Sequence, residues 1–212
     1  MISIRYSSLR IRLAILLALV VHVPVSADDA GLQRGDPVGA FYVTKLAGAP
    51  QDGVAVGESL CYRCRFGSRP MMLLFLRDVK IDGESSASAQ WCKLLSQLDQ
   101  EIAQENESGF RCLVTLLGKD SGILQDVARQ LAKDAELTRL PIAVAKDTVS
   151  GPANVRIPAD ATAVIITAVD SQVVEYTVSR RKNFDVKAAI DQLTRLLRPE
   201  LRLAKRAVSK QH

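Results

Sequence analysis

The chain has 212 residues, with 28 Lys and Arg against 23 Asp and Glu and a formal net charge of +5. At 48% hydrophobic and 24% charged, it has the composition of a globular protein rather than a disordered chain, and four Cys are too few for a disulfide-dense scaffold. Its two His, His22 and His212, stand near one end and at the other, which excludes a His-dependent triad or a His-rich metal centre in a folded core.

Part of the basic excess belongs to the N-terminus. Arg5, Arg10 and Arg12, and no acid, lie in the first 27 residues. Leu13 to Val21 is an unbroken apolar run. Val25 and Ala27 then occupy the −3 and −1 positions of a small-residue cleavage site before Asp28-Asp29. A positive start, an apolar stretch and such a site form the three-part pattern of a secretory signal peptide. A spanning helix needs about 20 mostly apolar residues, and His22 and Pro24 interrupt this run. The expectation is a secreted or periplasmic protein, cleaved after Ala27, with no membrane anchor afterwards, in a compartment where disulfides persist.

Taken in order, residues 28–38 read as a mobile lead-in. Ala40 to Leu46 alternates like a half-buried strand, and a loop follows. A turn-prone stretch then holds Cys61 and Cys64. Met71 to Leu76 is continuously apolar between Pro70 and Arg77-Asp78, as in a central strand buried on both faces. From Ala87 to Gln104 the period becomes helical, with Trp91, Leu94, Leu95, Leu98 and Ile102 on one stripe. Phe110 to Leu117 predicts a strand, Ser121 to Leu137 a helix, and Leu140 to Ala145 another buried strand. Thr162 to Ala168 and Val173 to Val178 predict an antiparallel hairpin, and Phe184 to Leu197 a final helix. Strands alternating with helices imply parallel pairs with helices on both faces of the sheet. The hairpin makes that sheet mixed, so the fold class is α/β.

A βαβ half followed by a ββα half resembles the thioredoxin-like arrangement. The extra strand and loop at 140–160 resemble the redoxin and peroxiredoxin branch, in which a segment like Leu140-Pro141-Ile142-Ala143-Val144-Ala145-Lys146-Asp147 ends in an acid before the hairpin. The opening Gly35-Asp36-Pro37-Val38-Gly39-Ala40-Phe41 is similar to the redoxin start, with its Pro displaced. The resemblance covers residues 35–198. It implies one thioredoxin-like domain there, a mixed central sheet flanked by helices, after a signal peptide (1–27) and a short lead-in (28–34) and before a basic tail (199–212). It also implies a Cys directly after the central strand, at the start of the next helix, where the helix N-terminus lowers a thiol pKa. Residues 77–86 contain no Cys. The polar loop 78–86, with Asp78, Asp82, Glu84 and Ser86, would line any site kept at that pole. Helix starts are rich in Ser and acids for capping reasons alone. Pro158 lies a few residues early for the Pro that faces the family's active Cys.

Cys61-Tyr62-Arg63-Cys64 is the one short chemical motif. C-x-x-C serves a redox dithiol, half of a zinc site, or a structural disulfide. Zinc requires four ligands, and the remaining Cys lack the spacing, so no metal and no cofactor are expected. Arg63, Arg65 and Arg69 favour thiolate. Position opposes redox use: the motif precedes the central strand, roughly 20 Å from the family's catalytic pole, and lacks a helix N-terminus of its own. Two function classes stay open. One is a non-catalytic or weakly redox-active domain with a Cys61–Cys64 disulfide. The other is a thiol–disulfide oxidoreductase acting on protein thiols and disulfides, with Cys61 attacking and Cys64 resolving, by analogy with thioredoxin. A peroxidase is disfavoured by the vacant position. Cys92 and Cys112 read as small core residues, with a bond between them conceivable, and Trp91 as a core anchor. Asn106-Glu107-Ser108 matches a glycosylation triplet. The tail, with Arg202, Lys205, Arg206 and Lys210, reads as solvated, and no nucleic-acid partner is expected.

Overall fold

The computed structural model describes residues 31–80, 86–104, 109–180 and 185–197. The elements in order are β1 (Val43–Gly48), β2 (Ser59–Leu60), α1 (Tyr62–Phe66), β3 (Met71–Arg77), α2 (Ser86–Ala103), β4 (Arg111–Leu117), α3 (Ser121–Asp134), β5 (Pro141–Ala145), a 3-10 turn (Ala153–Val155), β6 (Ala163–Val169), β7 (Gln172–Ser179) and α4 (Val186–Leu197). Seven strands form one sheet in the order β2-β1-β5-β4-β3-β6-β7. β3 pairs in parallel with β4, and β4 with β5, while β6 and β7 form the antiparallel hairpin. Met71 to Leu76 are all at most 1% exposed. A strand with neighbours on both sides and packing on both faces has no position for a polar side chain, which is what the six-residue apolar run encodes.

The steps β3–α2–β4 and β4–α3–β5 move across the sheet in the same direction. Right-handed crossovers in one direction put their helices on one face. Leu94, Leu95 and Leu98 of α2, Leu124 and Leu131 of α3, and Leu193 and Leu196 of α4 accordingly share one core with Met72, Leu74, Leu76 and Val114. The opposite face of the sheet, bearing Met71, Leu73, Phe75 and Leu113, packs against Leu32, Val38 and Phe41, against Tyr62 and Phe66 of α1, and against Val155 of the 3-10 turn. Helices therefore lie on both faces, but unequally: among the described residues the second face has only the one-turn α1, the 3-10 turn and loop segments where long helices would be expected.

Residues 31–38 correct the expectation of a mobile lead-in. Gly35 N–H donates to the Val173 carbonyl, Val38 N–H to that of Ser171, and Val173 N–H to that of Asp36. Leu32 and Val38 are buried. Backbone groups that reach a strand edge need no side-chain signal to be ordered. The helix expected to Leu137 ends at Asp134. Ala135 caps it, and Glu136 takes a left-handed φ of 52°. Leu137 N–H returns to the Ala132 carbonyl and Glu136 N–H to that of Lys133, a Schellman ending without the usual Gly.

α2 is locked to the start of β5 by Asp99, which is 6% exposed. Its carboxylate accepts from the N–H groups of Thr138, Arg139 and Leu140 (3.0, 2.7 and 2.7 Å) and from the Thr138 hydroxyl (2.9 Å). Asp99→Asn keeps one acceptor but loses the charge, and is expected to cost about 1–2 kcal/mol in urea unfolding.

Candidate functional site: the Cys61–Cys64 turn and its cleft

Cys61 and Cys64 are joined in a disulfide with their Cα atoms 5.2 Å apart. The pair does begin a helix, contrary to the sequence expectation. Cys61 is the N-cap of α1, in extended conformation, and its Sγ accepts the Cys64 N–H at 3.1 Å. Arg65 N–H closes the turn on the Cys61 carbonyl, and Gly67, at φ 63°, ends it. One turn is too short for the periodicity that reveals helices in sequence. Cys61 is buried at 8% exposure, whereas Cys64 is exposed.

Burial of Tyr62 and Phe66, whose rings lie 5.9 Å apart, holds α1 on the sheet face opposite α2. At the far end of this turn, Gly67 and Ser68 offer carbonyls to Ser171 and Asp170 in the β6–β7 turn. α1 thus runs toward the N-terminal ends of the parallel strands. The turn that Cys61 caps therefore packs on the other face of the sheet from α2, the helix at whose start the sequence resemblance implies a Cys.

A buried charge network fastens this turn. Lys45 is 1% exposed. Its ammonium donates to Asp52 Oδ1 (2.7 Å) and to the carbonyls of Ala49 and Val54 (both 2.8 Å). Asp52 also accepts from the Tyr62 hydroxyl at 2.6 Å and from Val54 N–H at 2.9 Å. Burial acts to raise the Asp52 pKa, but the hydrogen bonds from Lys45 and Tyr62 outweigh it and hold the carboxyl below its ordinary value. Burial, then the Asp52 bond, pushes the Tyr62 hydroxyl far above its ordinary value. Arg65 reaches back to the Asp52 carbonyl. Sequence reasoning missed this network. Its signal was Lys45 itself, in register with the inward Val43 of a short strand.

The pole where the resemblance implies a site is built differently. Asp78, at φ 51°, donates its N–H to the Leu117 carbonyl, and Gly118 N–H binds that of Thr148. Arg77 ties this end together by donating to the carbonyls of Ala161 (3.0 Å) and Val149. Asp147 accepts from the N–H groups of Val149 and Ser150, and the Ser150 bond in particular lowers its pKa. Asp82 and Glu84 lie outside the described residues, as does the Asn106 triplet. Ser86 opens α2. Pro158 is buried, and among the described residues no peptide bond is cis.

Cys92 and Cys112 are both free thiols. Burial pushes the Cys112 thiol far up, and burial with the Asp134 carboxylate raises that of Cys92. Thiolate is the reactive form. Iodoacetamide at neutral pH is therefore expected to modify Cys92 slowly and to leave Cys112 untouched until the protein unfolds. Trp91 packs against the helix-bearing face, as expected of a core anchor. Among the described residues no group of three or more His, Cys, Asp or Glu converges as a metal site, and no helix is long and apolar enough to cross a membrane.

Beside α1, where the N-terminal ends of β4 and β5 meet the loop before β2, a cleft of about 360 Å³ opens. Arg65, Arg69, Arg111 and Arg139 line it, over Tyr62, Phe66, Ile102, Cys112 and Pro141.

With this geometry in hand, comparison with known proteins gives the fold. No family profile matches the chain, and the curated proteins contain no match to it. Solved structures do resemble it. A secreted thiol–disulfide isomerase from Corynebacterium glutamicum superposes with a TM-score of 0.52 at 14% identity, covering 80% of this chain and 92% of that one. A protein described as a putative thioredoxin reductase, from Burkholderia cenocepacia, gives 0.53 at 9% identity, covering 74% and 92%. AhpC of Mycobacterium tuberculosis gives 0.50 at 13% identity, covering 79% and 99%. The fold is thioredoxin-like. The mixed sheet and its flanking helices agree with the sequence reading, and the C-x-x-C lies before the central strand of that fold rather than after it.

Proposed function

We propose that the protein is exported, loses residues 1–27, and acts outside the cytoplasm as a thioredoxin-fold protein whose Cys61–Cys64 disulfide exchanges with protein thiols at low turnover. The observation that carries this is the asymmetry of the pair: Cys64 is exposed, Cys61 is buried, and Cys61 Sγ already accepts a backbone N–H. A partner thiolate attacks Cys64 Sγ. A sulfur–sulfur bond forms between them, the Cys61–Cys64 bond breaks, and its electron pair leaves on Cys61 as thiolate. The Cys64 N–H that already points at this sulfur favours the anion, and a stabilised leaving thiolate leaves faster. A second thiolate of the partner then attacks the partner's sulfur in the mixed disulfide. The partner is oxidised, Cys64 leaves as thiolate, and the protein is left as the dithiol. Exposure thus favours Cys64 as the sulfur that partners meet, the reverse of the order that analogy with thioredoxin gives.

Low turnover follows from position. α1 has a single turn, so little dipole acts on the thiolate, and Tyr62, Asp52 and Lys45 hold the turn rigid. The same anchorage supports a second reading, in which the disulfide only fastens α1 and the sheet serves as a scaffold. The folded unit begins at least at Gly31, before the boundary at 35, and extends toward 198. The experiment is trapping in the mature protein. Offered a disulfide-bonded partner, Cys61→Ser should accumulate a mixed disulfide on Cys64, its thiolate attacking one partner sulfur while the other leaves as thiolate, and exported material should begin at Asp28. Absence of any mixed disulfide with either single variant favours the scaffold.

A further inference from the structure

We propose that the arginine-lined cleft is a docking site for an acidic polypeptide segment that presents a neighbouring cysteine to Cys64; this rests on the exchange reading above. Three separate parts of the chain supply four guanidinium groups to one small opening: Arg65 and Arg69 from α1 and its exit, Arg111 from the start of β4, and Arg139 from the turn before β5. Arg65 is held by the Asp52 carbonyl and Arg111 by those of Gly109 and Phe110, while Arg69 and Arg139 bring two further cations to the same opening, at a cost in self-repulsion that an anion relieves. Among the described residues the one carboxylate in the lining, Asp52, is already bound to Lys45 and Tyr62. Among the described residues, Arg69 and Arg139 form no ion pair with a carboxylate. Guanidinium groups bind carboxylates through paired hydrogen bonds, and the apolar floor of Phe66, Ile102 and Pro141 suits the methylene stems of Glu side chains.

Size and place decide between ligands. The volume of about 360 Å³ is at the small end of binding pockets, which run from about 300 to 1,000 Å³, so it takes one or two side chains rather than a folded partner. Arg65, which lines the cleft, directly follows the exposed Cys64 in α1, and this adjacency in the chain is what links docking in the cleft to attack on Cys64. The cleft then selects acidic partners for the exchange step already written.

The test uses the oxidised mature protein and two matched peptides, each with one cysteine, flanked by Glu in one and by Lys in the other. Versions with Ser for Cys report docking alone by fluorescence anisotropy. The acidic Ser peptide is expected to bind, to weaken as salt rises from about 0.05 to about 0.5 M, and to bind at least about tenfold more weakly to the Arg69→Gln/Arg139→Gln protein, a loss of about 1.4 kcal/mol. Arg129→Gln, on the outer surface of α3, should change nothing. The acidic Cys peptide should form its mixed disulfide faster than the Lys peptide, and the double variant should remove that advantage. Equal binding of both Ser peptides, or binding indifferent to the double variant, overturns the docking proposal even if exchange proceeds. Arginine-dependent docking without any mixed disulfide supports the cleft as an acidic-peptide site and overturns the exchange reading instead.

Discussion

Equilibrated against thiol redox buffers, the mature protein is expected to reduce its Cys61–Cys64 bond at a potential more oxidising than about −300 mV, the level below which structural disulfides of secreted proteins lie. Cys64 is exposed, and the Cys64 N–H that caps Cys61 Sγ stabilises the thiolate formed on reduction. Both features make the bond reducible. The same protein should reduce insulin slowly or not at all, because α1 lacks the length that gives thioredoxins their thiolate-stabilising helix start. Trapping should be unequal. Cys61→Ser leaves the exposed Cys64 to hold a partner, whereas Cys64→Ser leaves only a buried sulfur, and its yield of mixed disulfide should fall by more than about tenfold. A potential below about −300 mV, together with no trapping through either Cys, would make the bond a fastener. A brisk rate that depends on Cys61 and survives loss of Cys64 would restore the thioredoxin order.

The parts of this molecule that were legible in the sequence are those with many residues repeating one signal. Met71 to Leu76 declares a strand buried on both faces because every position is apolar and each is at most 1% exposed. The stripes of α2 and α3 and the hairpin around Asp170 and Ser171 likewise repeat their period long enough to be read. α1 and β2 span five and two residues, which is below any periodic signal, so the helix start at the C-x-x-C leaves no trace in the sequence. The lead-in at 31–38 is rich in Gly, Asp and Pro, and beside the two buried side chains of Leu32 and Val38 it is ordered by backbone bonds to Ser171 and Val173 that its sequence does not announce. The cleft was illegible for a different reason. Arg65, Arg69, Arg111 and Arg139 come from segments that only tertiary packing brings together, and each alone is an ordinary surface charge. The two cysteines of the pair are likewise not told apart by spacing: only the fold shows Cys61 buried and Cys64 exposed.

Replacing Asp52 by Ala is expected to destabilise the protein by roughly 3–4 kcal/mol in denaturant unfolding, toward the cost of breaking a buried ion pair from one side. Lys45 is 1% exposed, and all three of its ammonium hydrogens are used by Asp52 and the carbonyls of Ala49 and Val54. Without the carboxylate a buried cation keeps only two neutral acceptors, and the Tyr62 hydroxyl and Val54 N–H lose their acceptor. Lys45→Met should cost less, about 1–2 kcal/mol, because the Asp52 side chain, 18% exposed, can take up water once the ammonium is gone. The pH dependence has a definite sign. The Asp52 pKa is lowered in the folded state, so its contribution is present above the ordinary value of 3.8 and is lost as pH falls through the lower folded value. Tyr62 is raised from an ordinary 10.0, so its contribution is present below that pH and declines as pH rises above it. Asp52→Asn should therefore flatten the acid limb of the stability curve, and Tyr62→Phe the alkaline limb. Because Tyr62 adjoins Cys61, loosening this network should also expose Cys61 and narrow the difference in trapping between the two Cys→Ser proteins. A stability loss under about 0.5 kcal/mol for Asp52→Ala, the range of ordinary surface substitutions, would show that the network does not fasten the disulfide turn.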